Sequence, residues 1–332
     1  MQHMSDFMTR VSAESAKIDT VMRRDLAAIK PESDGLLREV LHYGLFNGGK
    51  RLRPLLVVMA SRLCGNDDEE VYRLGCAFEY LHAATLFHDD IIDNSELRRG
   101  KKSVYKQYGM TPAILAGDYL HALSMAIVGR VAGAKGLTIF CNATTGMVDG
   151  EFMQLRNAAK DNLAEPEYYR AIMMKTGLLI AAACEVGALY GGGTSEQVEA
   201  LRGYGEHLGC AFQIIDDLLD YQGDPNRTGK ALGNDLLEGK ITLPLIFALE
   251  NGGEKEKQKL QAILSTRKDR PSAISEVTEI IAGSGGFTAA RAKAESEVAS
   301  AIDCLRLFTD PAHSSERLVL EDLARYVLSR EK

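Results

Sequence analysis

A chain of 332 residues, 45% hydrophobic and 26% charged with no tryptophan, is long enough for two domains and ordinary in composition for a globular protein. Its formal net charge of −7 argues against nucleic acid as a partner, because neutralising a phosphate backbone needs a basic surface. The six cysteines (Cys64, Cys76, Cys141, Cys184, Cys210, Cys304) are scattered, never form Cys-x-x-Cys and sit mostly in apolar runs. That pattern reads as reduced core thiols in a cytoplasmic protein. Glu185 interrupts the apolar run 178–190 and Asp118 interrupts 113–128, so neither supplies the roughly 18 uninterrupted residues of a bilayer span. No integral membrane segment and no signal peptide are expected, and Met1-Gln2-His3-Met4 is expected to be partly an artificial leader.

Nearly every segment reads as helix. The spacing predicts an amphipathic helix over 5–29, a second over 35–46 ending at Asn47-Gly48-Gly49, and a third over 52–63. A long fourth is predicted over 69–99. Further helices follow over 111–130, 136–159, 165–190, 195–221, 235–250, 254–265, 272–282, 286–308 and 314–330. The 8 prolines fall largely at segment boundaries, and Gly191 to Gly193, Gly252-Gly253 and Gly285-Gly286 mark breaks. No sustained period-two alternation appears, so strands are expected to be negligible. With no linker, repeat or low-complexity segment, the expectation is one all-α domain over 1–332.

Two acidic stretches carry the chemistry. In Leu86-Phe87-His88-Asp89-Asp90-Ile91-Ile92-Asp93 the carboxylates of Asp89 and Asp93 lie one helical turn apart on one face. Like charges at that spacing repel, so a cation is expected there. Oxygen-only ligands suit a hard ion such as Mg2+. The device recurs as Asp216-Asp217-Leu218-Leu219-Asp220 behind the apolar run Cys210 to Ile215. One such motif is common on helix surfaces, whereas two, each on an apolar helix and near Arg or Lys, point to a site. The two are expected to face each other across the interior.

Cations accompany both. Gly48-Gly49-Lys50-Arg51-Leu52-Arg53-Pro54 sets three of them behind a glycine pair at a helix start, a place that favours phosphate. Magnesium is usually held by a few carboxylates plus substrate phosphate oxygens. Lys175 lies in an apolar run, Arg98-Arg99 follow the first motif, and the loop from Gly223 to Lys240 carries Lys230 and Lys240. His82 lies two turns before Asp89 on the same side, and Gln213 one turn before Asp217; a core histidine and a structural glutamine are the plainer readings of those two. A different class also fits part of the pattern. Glu39-Val40-Leu41-His42 and Glu79-Tyr80-Leu81-His82 are two Glu-x-x-His pairs of the kind found in di-iron carboxylate bundles. That scheme leaves both Asp motifs and the Lys50, Arg53, Lys230 and Lys240 cations unexplained.

On these motifs, from Gly48-Gly49-Lys50-Arg51-Leu52-Arg53-Pro54 through both acidic stretches to Gly239-Lys240-Ile241-Thr242-Leu243-Pro244, the sequence resembles the trans-prenyl diphosphate synthases (polyprenyl synthetase family). The tail Leu323 to Arg330 has the family's look too. The resemblance covers almost the whole chain and is nearest in look to the long-chain, octaprenyl-type members. It implies a helical bundle of the isoprenoid synthase type around a deep central cavity, usually as a homodimer. It implies Mg2+ and two substrates, isopentenyl diphosphate and an allylic diphosphate primer, joined head to tail. By motif position Asp89, Asp93, Asp216 and Asp220 would bind metal, with Asp90 in support. Arg98, Lys175, Thr176, Gln213, Lys230 and Lys240 would contact the allylic diphosphate, and Lys50, Arg53, His82 and Arg99 would hold isopentenyl diphosphate. Asp89, Asp93, Asp216, Lys175 and Lys230 would carry catalysis.

Product length is read from the helix before Asp89. If the tail grows toward the helix N-terminus, Ala84 and Thr85 form its first floor, and Leu81 and Phe78 come next. Short-chain members often carry an aromatic near the first floor; both residues here are small, which favours a product longer than farnesyl or geranylgeranyl. The alternatives are a short-chain synthase, a class I terpene cyclase, which has no second diphosphate for Lys50, Arg53 and Arg99 to hold, and a non-catalytic partner subunit.

Overall fold

The computed structural model describes residues 2–29, 34–157, 164–223, 232–266 and 270–330. It is all-α: the described strands are one pair of two-residue segments. The chain folds as two compact units, one of residues 1–142, 182–202 and 307–322, the other of 143–181, 203–306 and 323–332.

In the first unit, α1 (Gln2–Ala27), α2 (Gly35–Leu45) and α3 (Leu52–Leu63) precede the long α4 (Glu70–Ile92). The α4 helix is apolar nearly all round, as a helix buried on every side must be. It packs along α6 (Met110–Val131) and against α3. Leu74, Phe78 and Leu81 are at most 2% exposed, and burying each stabilises the unit by roughly 1.5–3 kcal/mol. Close approach of α3 is permitted at Gly75, where a Cβ would lie 3.0 Å from the Pro54 carbonyl.

The helix predicted to reach residue 99 stops at Ile92. Asn94 adopts the left-handed region (φ 49°), its N–H bonds the Ile91 carbonyl, and the Ser95 N–H bonds the Asp90 carbonyl. This is the Schellman arrangement, with asparagine in the place glycine usually takes. A hairpin follows, β1 (Leu97–Arg98) against β2 (Lys101–Lys102), turned by Arg99 and Gly100, both at positive φ. Two positive φ values give the turn whose twist suits a two-residue hairpin. A short helix α5 (Val104–Tyr108), absent from the sequence reading, leads into α6.

In the second unit, the described chain includes the C-terminal part of α7 (Gly133–Asn157), α8 (Glu165–Ile172), a π-turn (Met173–Gly177), and parts of α9 (Leu178–Tyr190) and α10 (Ser195–Gln222). The helix predicted over 165–190 is therefore interrupted by one wide turn. The helix predicted over 235–250 is two: α11 (Asn234–Glu238) and α12 (Leu243–Asn251). They are followed by α13 (Glu254–Ser265), α14 (Arg270–Gly283), α15 (Gly286–Cys304) and the end of α16 (Ser314–Leu328). The α12 helix packs on α15, and His207 Nδ1 lies 2.7 Å from Glu297 Oε2, tying α10 to α15.

All six cysteines are free. By length and composition Met110–Val131 and Glu165–Tyr190 are apolar enough to cross a membrane, so Asp118 and Glu185 interrupt them less than the sequence reading supposed. The most apolar window of the second is 67% buried inside the protein and that of the first 39%.

Candidate active site

In the first unit, cations gather around a hollow of about 480 Å³ lined in part by Arg51, Glu79, His82, Asp90, Arg98 and Arg99. The glycine pair explains how Arg99 arrives. Gly48 and Gly49 both have positive φ, a Cβ on Gly49 would fall 2.8 Å from an Arg99 nitrogen, and Arg99 Nη1 donates to the Gly48 carbonyl. The hairpin thus delivers Arg99 to the loop before α3 and returns Arg98 to α4, where its Nε donates to Asp90 Oδ1 at 3.0 Å.

Arg51, counted in the sequence among the three cations of that loop, is instead its anchor. Left-handed at φ 49° and buried, it donates to Asp19 Oδ1 and Glu79 Oε1, each at 2.8 Å, and to the Leu45 carbonyl at 2.7 Å. Arg53 is different: its Nε is buried with no hydrogen-bond partner among the described residues. Burial and the Arg99 charge push its pKa down, against the pull of Glu79. Burial, then Arg53, Arg99, Arg98 and Arg51 in turn, hold His82 well below its ordinary pKa, so its ring is neutral. A cluster of guanidiniums around a hollow, with one buried nitrogen left unpaired, is a site for an anion. Lys50 is exposed beside it.

The acidic residues of this unit divide. Asp90 is 2% exposed and paired with Arg98. Asp89, in the last turn of α4, is half-buried, and Asp93, the residue that ends the helix, is exposed. Ala84 and Leu81 are each 2% exposed and Thr85 is half-buried, its hydroxyl returned to the His82 carbonyl. Phe78 is fully buried and meets Phe140 edge-on at 5.1 Å. The di-iron alternative loses its ligands: Glu79 is ion-paired to Arg51, and Glu39 accepts from the Tyr108 hydroxyl.

The second unit holds a hollow of about 730 Å³ lined by Lys175, Gln213, Asp217, Asp235, Lys240 and others. The π-turn presents Lys175 and Thr176 in succession. Lys175 Nζ lies 2.8 Å from Glu151 Oε1 and 3.0 Å from Gln154 Oε1, and the Thr176 hydroxyl donates to Gln213 Oε1 at 3.1 Å. A π-turn inside an α-helix is frequently a functional site, because the extra residue re-aims its side chains. Lys240 pairs with Asp235 and Glu238; burial opposes its charge, and those carboxylates outweigh burial and raise its pKa. Lys230 and the rest of 224–231 lie outside the described residues.

The second acidic triad occupies three environments. Asp216, with its side chain 45% exposed, pairs with Arg330 at 3.0 Å. Asp217 is buried, taking bonds from the Tyr168 hydroxyl and Gln213 Nε2, and burial followed by the Asp235 charge raises its pKa well above the usual range. Asp220 accepts the backbone N–H groups of Asn234 and Asp235; burial and Asp235 push it up to about 6. Among the described residues no three His, Cys, Asp or Glu side chains form a ready-made metal cage. The donor set is nonetheless the one Mg2+ takes, a few carboxylate oxygens with room left for a ligand's phosphate oxygens. The sequence placed Arg51 and Asp217 inside the two motifs without the roles they take here, and it missed Tyr168 and Asp235, which act through partners distant in sequence.

A family model described as polyprenyl synthetase matches residues 34–281. The chain is 32% identical to the octaprenyl diphosphate synthase of Escherichia coli over 95% of this chain and 99% of that one. It is 34% identical to a short chain isoprenyl diphosphate synthase of Methanothermobacter thermautotrophicus over 99% of this chain and 100% of that one. Among solved structures, a polyprenyl synthase from Caulobacter crescentus CB15 complexed with calcium and isoprenyl diphosphate superposes with a TM-score of 0.88 at 35% identity, covering 98% of this chain and 97% of that one.

Proposed function

The chain belongs to the polyprenyl synthetase family, and on that footing we propose that it is a prenyltransferase condensing isopentenyl diphosphate head to tail onto an allylic diphosphate. The product proposed is a medium- or long-chain all-trans polyprenyl diphosphate, released after proton elimination. The observation that carries this reading is the buried, open Nε of the half-buried Arg53, beside Arg99 and a neutral His82. It adds an anion site to the one suggested by Lys175, Lys240 and Gln213. A cyclase that ionises a single diphosphate has no use for both.

In this reading Arg98, Lys175, Thr176, Gln213, Lys230 and Lys240 bind the allylic diphosphate. Lys50, Arg53, His82 and Arg99 hold isopentenyl diphosphate so that its double bond waits beside the carbon that becomes cationic. Asp89, Asp93, Asp216 and Asp220 would hold Mg2+, with Asp90 fixing Arg98 in support; bound metal would neutralise the charge developing on the departing diphosphate. Asp220 keeps lone pairs for that role beyond the two backbone N–H groups it accepts. No protein nucleophile is called for, and the departed diphosphate takes the final proton. The two units are proposed to act as one catalytic domain over 1–332. The free thiols fit a cytoplasmic enzyme.

A homodimer is part of the proposal. Ile114, Leu115 and Met125 on α6, and Val148, Phe152 and Leu155 on α7, are large apolar side chains left exposed, and a second copy of the chain is proposed to cover them.

Chain length is proposed to be set along α4 by Ala84, Thr85, Leu81 and Phe78. Ala84→Phe or Ala84→Tyr is expected to shorten the main product by at least one isoprene unit, read by chromatography of the dephosphorylated products; an unchanged length profile contradicts the assignment. The function itself is tested by incubation with isopentenyl diphosphate, an allylic primer and Mg2+. Polyprenols longer than geranylgeraniol are expected. Cyclised hydrocarbon from the primer alone, or no product, overturns the reading.

A further inference from the structure

Three successive aspartates of one motif with three different environments call for three different roles. We propose that Asp217 binds no metal and is the buried anchor of a directed hydrogen-bond chain, Tyr168–Asp217–Gln213–Thr176, that fixes the groups meeting the allylic diphosphate, which makes Tyr168 a positioning residue of that site. The proposal rests on the reading above that Gln213 and Thr176 contact this substrate.

The direction of the chain follows from the chemistry of its members. Asp217 is 4% exposed, and its two oxygens are engaged separately: Oδ2 by the Tyr168 hydroxyl at 2.6 Å, Oδ1 by Gln213 Nε2 at 3.0 Å. Gln213 turns its NH2 toward Asp217 Oδ1 and its carbonyl the other way. That carbonyl accepts from the Thr176 hydroxyl at 3.1 Å. One Gln213 amide hydrogen is then left for an anion in the hollow that Gln213 shares with Lys175 and Lys240. Were the amide reversed, it would present a carbonyl oxygen to a diphosphate, replacing an attraction to the anion by a repulsion.

The backbone is arranged to bring the chain together. Tyr168 comes from α8, Thr176 from the π-turn, and Gln213 and Asp217 from consecutive turns of α10. The π-turn can approach α10 because Gly177 faces Gly209: a Cβ on Gly209 would fall 2.6 Å from the Gly177 Cα. Gly209 is one turn before Gln213, so this near-contact sets the reach from Thr176 to Gln213. Tyr168 is 3% exposed and lines the same hollow. Its hydroxyl holds the second oxygen of Asp217 and so prevents the carboxylate from rotating away from Gln213.

Tyr168→Phe removes one oxygen and leaves the ring packed. We expect its KM for the allylic primer to rise ~5- to 20-fold, the loss associated with one buried hydrogen bond. KM for isopentenyl diphosphate should stay near wild type, and the unfolding midpoint should fall by no more than the loss of one buried hydrogen bond. Asp217→Asn, which lets the Gln213 amide reverse, should raise the allylic KM at least as far. The double variant should be no worse than Asp217→Asn alone, because both act through one chain. Titration with Mn2+, followed by its electron paramagnetic resonance signal, should find Asp217→Asn binding metal like wild type and Asp216→Asn binding it more weakly. The proposal is overturned if Tyr168→Phe moves both KM values equally or neither, or if Asp217→Asn loses Mn2+ as Asp216→Asn does. A wild-type enzyme that fails to join the two diphosphates sinks the functional reading and this proposal together; an active wild type with an unmoved Tyr168→Phe sinks the chain alone.

Discussion

Asp89→Asn is expected to leave the protein folded and to lower kcat for condensation on the order of 10³-fold. Asp89 sits in the final turn of α4, where its backbone carbonyl accepts from the Asp93 N–H at 2.8 Å. That bond and the Schellman turn beyond it use main-chain atoms, which an asparagine keeps. The side chain is half-buried, so the substitution removes charge without opening a cavity. What it withdraws is a negative oxygen proposed to hold the cation that receives the departing diphosphate. KM for isopentenyl diphosphate should hardly change, since Lys50, Arg53, His82 and Arg99 are untouched. Steady-state kinetics at saturating substrate decides the matter, and a fall of less than tenfold contradicts the role. Asp90→Asn should behave differently despite being the next residue. Asp90 is buried against Arg98, so that variant should lose stability and allylic affinity together.

Arg51→Met should produce the largest loss of stability, about 3–5 kcal/mol, measured from the urea midpoint. Arg51 and Glu79 are 4% and 7% exposed at their side chains, while Asp19 is 40% exposed. Removing the guanidinium strands Glu79 in the interior, where an unpaired carboxylate is costly; Asp19 can turn to water. The pair need not stabilise the fold relative to apolar groups of similar size. The double variant Arg51→Met with Glu79→Met should therefore recover much of the loss. Recovery of stability should not restore function. Arg51 also holds the loop from Gly48 to Arg53, so KM for isopentenyl diphosphate should remain high in the double variant. A single variant within about 1 kcal/mol of wild type would show that the buried Arg51–Glu79 pair is not what anchors the loop.

Much of this architecture is written in local pattern. Leu52–Leu63 and Glu254–Ser265 fall where periodicity and glycine breaks place them, because each helix has an apolar face and a sharp stop. The helix through residues 93–99 does not, although its signals were present: Asn94 is one of the few residues that accept the left-handed region, and Arg99-Gly100 is a plausible hairpin turn. The apolar run before them outweighed those signals. The π-turn at Met173–Gly177 has no comparable mark, since it depends on Gly177 meeting Gly209 thirty-odd residues away. The acidic motifs and the cations near them were legible as chemistry. The resemblance already set Asp217 apart from Asp216 and Asp220, but not the partners that make it so; Tyr168, Arg330 and the backbone at Asn234 and Asp235 give the three their different surroundings.

The central proposal is that the acidic residues hold the metal that receives the allylic diphosphate. Calorimetric titration with a non-ionisable allylic thiolodiphosphate, with and without Mg2+, measures this for wild type, Asp89→Asn and Asp216→Asn. The prediction is that Mg2+ tightens binding at least ~tenfold, about 1.4 kcal/mol, and that either variant loses that gain. Equal affinity with and without the metal, or a full gain retained by Asp216→Asn, would contradict it.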